Sequence, residues 1–293
     1  MKTEKNILIA FLLNITFSLI ELVGGLITGS IAIASDSFHD FGDALSIGIS
    51  YFLEKKSKNK PDDNHTYGYI RYSVLGSVIT TTILIVGSIF VICESIKRII
   101  NPVQINYNGM IIFAIFGVII NFIASIVTKD GGSLNQKSVN LHMLEDVFGW
   151  IIVLIGSILI KFTNISLIDS ILSILVAIFI LYNALKNLKT VLNVFLEITP
   201  KNINIHEIKK HILKIKGVID VHHIHVRSID GYNNFATMHI VVNKYDKIIK
   251  HKIKDELKEH NICHSTIELE LEKEDCDNKT CAIKIVNDNH HHY

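Results

Sequence analysis

Six stretches of this 293-residue chain are apolar over roughly the 20 residues a helix needs to cross the hydrocarbon core of a bilayer. They run Ile7 to Thr28, Ile31 to Leu53, Tyr72 to Ile96, Tyr107 to Thr128, Val139 to Ile160 and Leu167 to Leu188. Only Gly29 and Ser30 separate the first two, which predicts a tight helical hairpin. Asn101-Pro102 closes the third stretch and Lys129-Asp130-Gly131-Gly132 the fourth. The first stretch is longer than a secretory signal core and has no small-x-small cleavage site, so it reads as a retained helix. An even number of spans puts both termini on one side.

Lysine and arginine in the short loops set the orientation. Lys2, Lys5, Lys55, Lys56, Lys58, Lys60, Lys129 and Lys137 fall on one side, against Lys97, Arg98 and Lys161 on the other. The N-terminus, the second and fourth loops and the C-terminal region are expected in the cytosol, with the plasma or inner membrane as the location. A net charge of +1 offers no basic stripe to neutralise phosphates, so no nucleic-acid partner is expected. Four cysteines, Cys93, Cys263, Cys276 and Cys281, are too few and too scattered for a disulfide framework.

After Pro200 the composition turns charged and histidine-rich, and no further long apolar run appears. The pattern predicts a helix over 205–215, strands over 218–228 and 235–243 joined by a turn at Asp230-Gly231, a helix over 245–260 and a strand over 265–271. That order predicts an α+β domain with an antiparallel sheet and both helices on one face, of the ferredoxin-like kind seen in small metallochaperones. The expected organisation is a six-helix transmembrane domain over 1–199, a cytosolic α+β domain over 200–275, and a Cys/His tail over 276–293.

Ionisable side chains at bilayer depth cost about 2.5 to 3.5 kcal/mol each on insertion scales, so their presence in a span usually marks a pathway. The second stretch carries His39 and Asp43, and the fifth carries His142 and Asp146. Four residues apart on a helix is one turn apart on one face. Each helix therefore offers one imidazole nitrogen and one carboxylate oxygen. Two such faces brought together make a four-donor set suited to tetrahedral zinc with bonds of about 2.0 to 2.2 Å. One such pair alone is more often an interhelical contact than a metal site; two pairs in separate spans favour the metal. Asp36, Asp40 and Glu145 flank the pairs, with lining or salt-bridging roles expected. Asn14, Glu21 and Glu94 are read equally as packing, snorkelling or pathway residues.

These residues resemble the cation diffusion facilitators, and within them the zinc exporters, over nearly the whole chain. The resemblance is carried by Asn14 and Glu21 with Gly24-Gly25, by Ser35-Asp36-Ser37-Phe38-His39 through Asp43, and by His65-Thr66-Tyr67-Gly68 with Arg71. It continues through Glu94 to Pro102, Leu141-His142 to Asp146, Asp169, and Leu196-Glu197 to Pro200. The paired His-x-x-x-Asp motifs are its specific part; the proline common after the sixth-span aspartate is absent from Ile168-Asp169-Ser170.

The resemblance implies that His39, Asp43, His142 and Asp146 form the transport site. Manganese-preferring members tend to replace those histidines with carboxylates, so zinc is the implied cargo, with cobalt or cadmium as further passengers. It also implies metal sites at Asp62 and His65 in the second loop and at His222, His239 and Glu270 on successive strands, and a homodimer held by the soluble domains. For the loop pair a plain polar turn is an equal reading, because Tyr69 stands where relatives often have histidine. Strand alternation is expected to turn His223 and His225 away from His222. Cys276 with Cys281, and His290 to His292, are candidate metal-gathering residues of the tail.

The expected activity is proton-coupled antiport of Zn2+ out of the cytosol, zinc and protons competing for the same imidazoles. Export with cobalt, cadmium, iron or manganese as main cargo is the alternative, followed by a membrane-anchored zinc sensor. An intramembrane metalloenzyme is disfavoured because no His-Glu-x-x-His string occurs.

Overall fold

The computed structural model describes residues 2–28, 31–101, 107–163, 167–272 and 274. The chain divides into two compact units, Met1–Phe195 and Leu196–Tyr293.

Six long helices build the first unit: α1 (Lys2–Thr28), α2 (Ile31–Lys56), α3 (Arg71–Ile100), α4 (Tyr107–Lys129), α5 (Leu134–Thr163) and α6 (Leu167–Phe195). Among the described residues, α1 and α3 to α6 hold five segments long and apolar enough to cross a membrane. The helix outside that group, α2, is the one that carries Asp36, His39, Asp40 and Asp43. Large apolar side chains point outward around the unit, among them Leu12, Phe90 and Phe116, each at least half exposed. Such a surface suits lipid and not water.

Helix α5 touches each of the other five helices, which places its buried residues, His142 among them, toward the centre of the bundle. Small residues let the helices approach: a Cβ on Gly117 of α4 would collide with the Trp150 ring of α5, and one on Gly76 of α3 would meet Asn135 at 2.6 Å. Between α2, α3 and α5 the contacts are polar. The buried Glu54 Oε2 accepts hydrogen bonds from Ser73 Oγ at 2.7 Å, Ser133 Oγ at 3.0 Å and Asn135 Nδ2 at 3.4 Å. Nearby, Asn187 Nδ2 of α6 donates to Thr81 Oγ1 at 2.9 Å and to Ser138 Oγ at 2.8 Å. In a bilayer, hydrogen bonds of this kind hold helices together where apolar contact alone provides no preference over lipid.

The second unit orders its elements α7 (Ile205–Ile212), β1 (Val218–Ser228), β2 (Asn234–Val242), α8 (Lys247–Glu259) and β3 (Ile262–Leu271). Asn204 caps α7 by accepting from the His206 and Glu207 amides, and Asp246 caps α8 by accepting from Ile248 N. The sheet order is β1-β2-β3. It is mixed, not antiparallel as the sequence suggests: β1 and β2 form a hairpin, but β2 and β3 are parallel. The reason is α8, which carries the chain back to the end of the sheet where β2 began, as a crossover connection must. Ile208 and Ile212 of α7 and Ile253 and Leu257 of α8 pack with Val221, Met238 and Ile240 in one core, so both helices cover the same face.

Candidate metal centre

Two helices bring the intramembrane ligands together. Asp43 of α2 and His142 of α5 are buried, Asp146 of α5 is half-buried, and one donor atom from each lies within 4.8 Å of the others. His142 Nε2 stands 3.5 Å from Asp43 Oδ1, and its Nδ1 stands 3.9 Å from Glu145 Oε2. Both ring nitrogens are buried, yet neither makes a hydrogen bond among the described residues. A buried imidazole left so has a lone pair to give, and a cation is the partner that suits three surrounding carboxylates.

These residues line a cavity of about 660 Å3, which Asp40 and Glu145 also reach, as lining roles require. Two neighbours steady the carboxylates: Asn14 Nδ2 of α1 donates to Asp146 Oδ2 at 3.4 Å, and Ser88 Oγ of α3 donates to Glu145 Oε1 at 3.2 Å. Ser88 was not singled out in the sequence, although Ser73, Ser77, Thr80, Thr81 and Ser88 fall at helical spacing on the buried side of α3. The side chains of His39, Asp36 and Asp169 lie outside the described residues, as do Cys276, Cys281 and His290 to His292.

The loop pair is differently placed. Asp62 Oδ1 accepts from the amides of Asn64 at 3.0 Å and His65 at 2.7 Å, and Tyr69 donates its hydroxyl to Oδ2 at 2.5 Å. His65 Nδ1 is 3.4 Å from Asp62, and its ring stacks on Tyr69 with centroids 4.0 Å apart. The Tyr69 hydrogen bond holds the Asp62 carboxyl below its usual range. Asp62 thus pins the turn with both oxygens, and His65 packs against the Tyr69 ring.

In the second unit a further group converges on the sheet. Glu270 Oε1 lies 2.5 Å from His239 Nδ1, and its Oε2 lies 3.2 Å from His222 Nε2. Glu270 reaches His239 because it sits two residues beyond Glu268, the direct cross-strand partner of His239. His239 alternates with the core residues Met238 and Ile240, which turns this group to the face away from α7 and α8. Strict alternation fails next to it. The β1–β2 register slips between His222 and His225, and His223 has φ +50°. This bulge rotates His223 back toward its neighbours, leaving its ring 5.2 Å from that of His222 and 4.7 Å from that of His239. Desolvation, with His239 and His222 beside it, lowers the His223 pKa and favours the neutral ring.

Residues 7–196 match the model of the cation efflux transmembrane domain, and residues 200–272 match that of the cytoplasmic domain of cation efflux proteins. The chain belongs to the cation efflux family. Cation efflux proteins are membrane transporters of metal cations and not enzymes. Among its relatives is a cadmium, cobalt and zinc/H(+)-K(+) antiporter of Bacillus subtilis, 32% identical over 99% of this chain and 97% of the relative. The zinc transporter ZitB of Pectobacterium atrosepticum is 31% identical over 98% of this chain and 91% of its own length. The metal cation efflux system protein CzcD of Cupriavidus metallidurans is 31% identical over 92% of this chain and 87% of its own.

Proposed function

We propose that this cation efflux protein is a proton-coupled antiporter that exports Zn2+ from the cytosol through a site made by His39, Asp43, His142 and Asp146. The observation that carries the reading is the convergence of Asp43, His142 and Asp146 on one point inside the helical unit. His39 lies one turn before Asp43 in the sequence of the same helix, and in this reading it supplies the fourth donor. Two imidazoles and two carboxylates suit zinc, and cobalt or cadmium as secondary cargo, a range that matches the metals for which the relatives are named.

The mechanism follows from the ligands. Zn2+ enters from the cytosolic side and binds only when the imidazoles are neutral; the cation offsets the two carboxylates that make the empty site costly in lipid. Rocking of helices about the site opens it to the opposite side. Protons arriving there take the imidazole lone pairs, displace the metal and return inward. Proton and zinc therefore share one site and move in opposite directions.

Both termini lie in the cytosol in this reading, the protein sits in the plasma or inner membrane, and two chains pair through their cytoplasmic domains. His222, His239 and Glu270 hold cytosolic zinc that tunes transport, whereas Asp62 and His65 serve the second loop. The test is zinc uptake into proteoliposomes driven by a pH gradient, with cobalt, cadmium and manganese as competitors. Wild type accumulates zinc only when the gradient is present, and His142→Ala does not. Gradient-driven flux at the wild-type rate in His142→Ala would remove the assignment.

A further inference from the structure

Three metal-type donors that the transport reading does not use meet where α7 packs beside α8. His211 lies in the last turn of α7, Glu256 in the last turn of α8, and His260 is the residue that ends α8. The four-residue spacing puts Glu256 and His260 on one face, and the contact between the two helices adds His211. His211 Nδ1 is 2.9 Å from Glu256 Oε1 and 3.1 Å from His260 Nε2, and His260 Nε2 is 3.5 Å from that same Glu256 oxygen. The same three atoms thus close a triangle.

Those edges have the size that a metal imposes. With bonds of about 2.0 to 2.1 Å, a tetrahedral zinc ion sets its donor atoms about 3.3 to 3.4 Å apart, within the range from 2.9 to 3.5 Å that the three edges span. Hydrogen bonding satisfies the group less well. A ring nitrogen carries either one proton or one lone pair, and once the His211 proton serves Glu256 it has no second one for His260. A cation placed off the triangle takes one lone pair from each atom at once. The side chains are 35%, 25% and 17% exposed for His211, Glu256 and His260, open enough for an ion to enter and for water to fill a fourth position.

We propose that His211, Glu256 and His260 form a zinc site of their own, with two imidazole nitrogens, one carboxylate oxygen and water as ligands. It is separate from the group on the sheet: His222, His239 and Glu270 point from the strands toward the face that α7 and α8 leave uncovered. Ile208 and Ile212 of α7 and Ile253 and Leu257 of α8 form the core just beneath the triangle, so the ion clasps the two helices at the rim of that core. Binding there stabilises the folded domain in proportion to free zinc, whatever the transport site is doing.

The experiment uses the full chain in detergent, stripped of metal and dialysed against micromolar free Zn2+, with bound metal counted by elemental analysis. The His211→Ala, His260→Ala double variant is expected to hold one zinc per chain fewer than wild type. Glu256→Gln, which keeps the shape of the side chain, is expected to lose the same equivalent while its metal-free melting temperature stays at the wild-type value. A zinc count equal to wild type in either variant overturns the proposal. His142→Ala is expected to abolish transport yet retain this equivalent, so the two readings fail separately.

Discussion

The His142 ring nitrogens make no hydrogen bond among the described residues: they sit 3.5 Å and 3.9 Å from carboxylate oxygens, too far for good hydrogen bonds. Around it the supporting residues act through the ligands. Asn14 donates to Asp146 Oδ2 and so helps to orient that carboxylate. Outer-shell partners of this kind typically change metal affinity about 10- to 100-fold when removed. Asn14→Ala is accordingly expected to raise the zinc concentration for half-maximal flux about tenfold, with maximal flux nearly retained. A concentration–flux curve in proteoliposomes checks this, and superposition on wild type would reduce Asn14 to a packing residue. The His-x-x-x-Asp spacing made Asp43, His142 and Asp146 legible because helical period is a local property. Glu145 and Ser88 were harder to place, since a carboxylate beside a ligand and a serine in an apolar helix each have many ordinary uses.

Elements here are joined by polar groups at chosen points. Ser133 caps α5 by accepting from Gln136 N at 3.1 Å and donates a hydrogen bond to Glu54, so one hydroxyl starts a helix and ties it to α2. Ser73 and Asn135 donate to that same Glu54 oxygen. Glu54→Ala leaves three buried donors without this acceptor and is expected to cost about 3 kcal/mol, as loss of a buried hydrogen-bond centre does. Glu54→Gln retains an acceptor oxygen and is expected to cost less than half as much. Thermal unfolding in detergent measures both; equal stability of Glu54→Ala and wild type would show that the network holds nothing together. In the second unit the strand and helix positions were readable from alternation and caps, but the pairing was not. Parallel β2 and β3 follow from where α8 returns the chain, and the turn of His223 follows from one slipped register position. Neither leaves a mark on local periodicity.

At the scale of the whole molecule the imidazole ligands make transport answer to pH with a definite sign. Protonated imidazole binds no metal, so acidifying the cytosolic side opposes zinc entry, whereas acidifying the opposite side favours release. Lowering the cytosolic-side pH at a constant gradient is expected to raise the half-saturating zinc concentration. Flux measurements as that pH is lowered check it, and a flat response would exclude histidine from the path. The sequence by itself determined that the chain is membrane-embedded, that charge collects in two of its helices, and that a polar α+β unit follows. All three are matters of composition and period, which are written along the chain. Only the tertiary structure decided that α5 lies at the centre of the bundle, that β3 runs parallel to β2, and that His211, Glu256 and His260 come within bonding reach of one ion. Convergence of that kind depends on which helix faces pack together, and packing joins residues that are far apart in sequence.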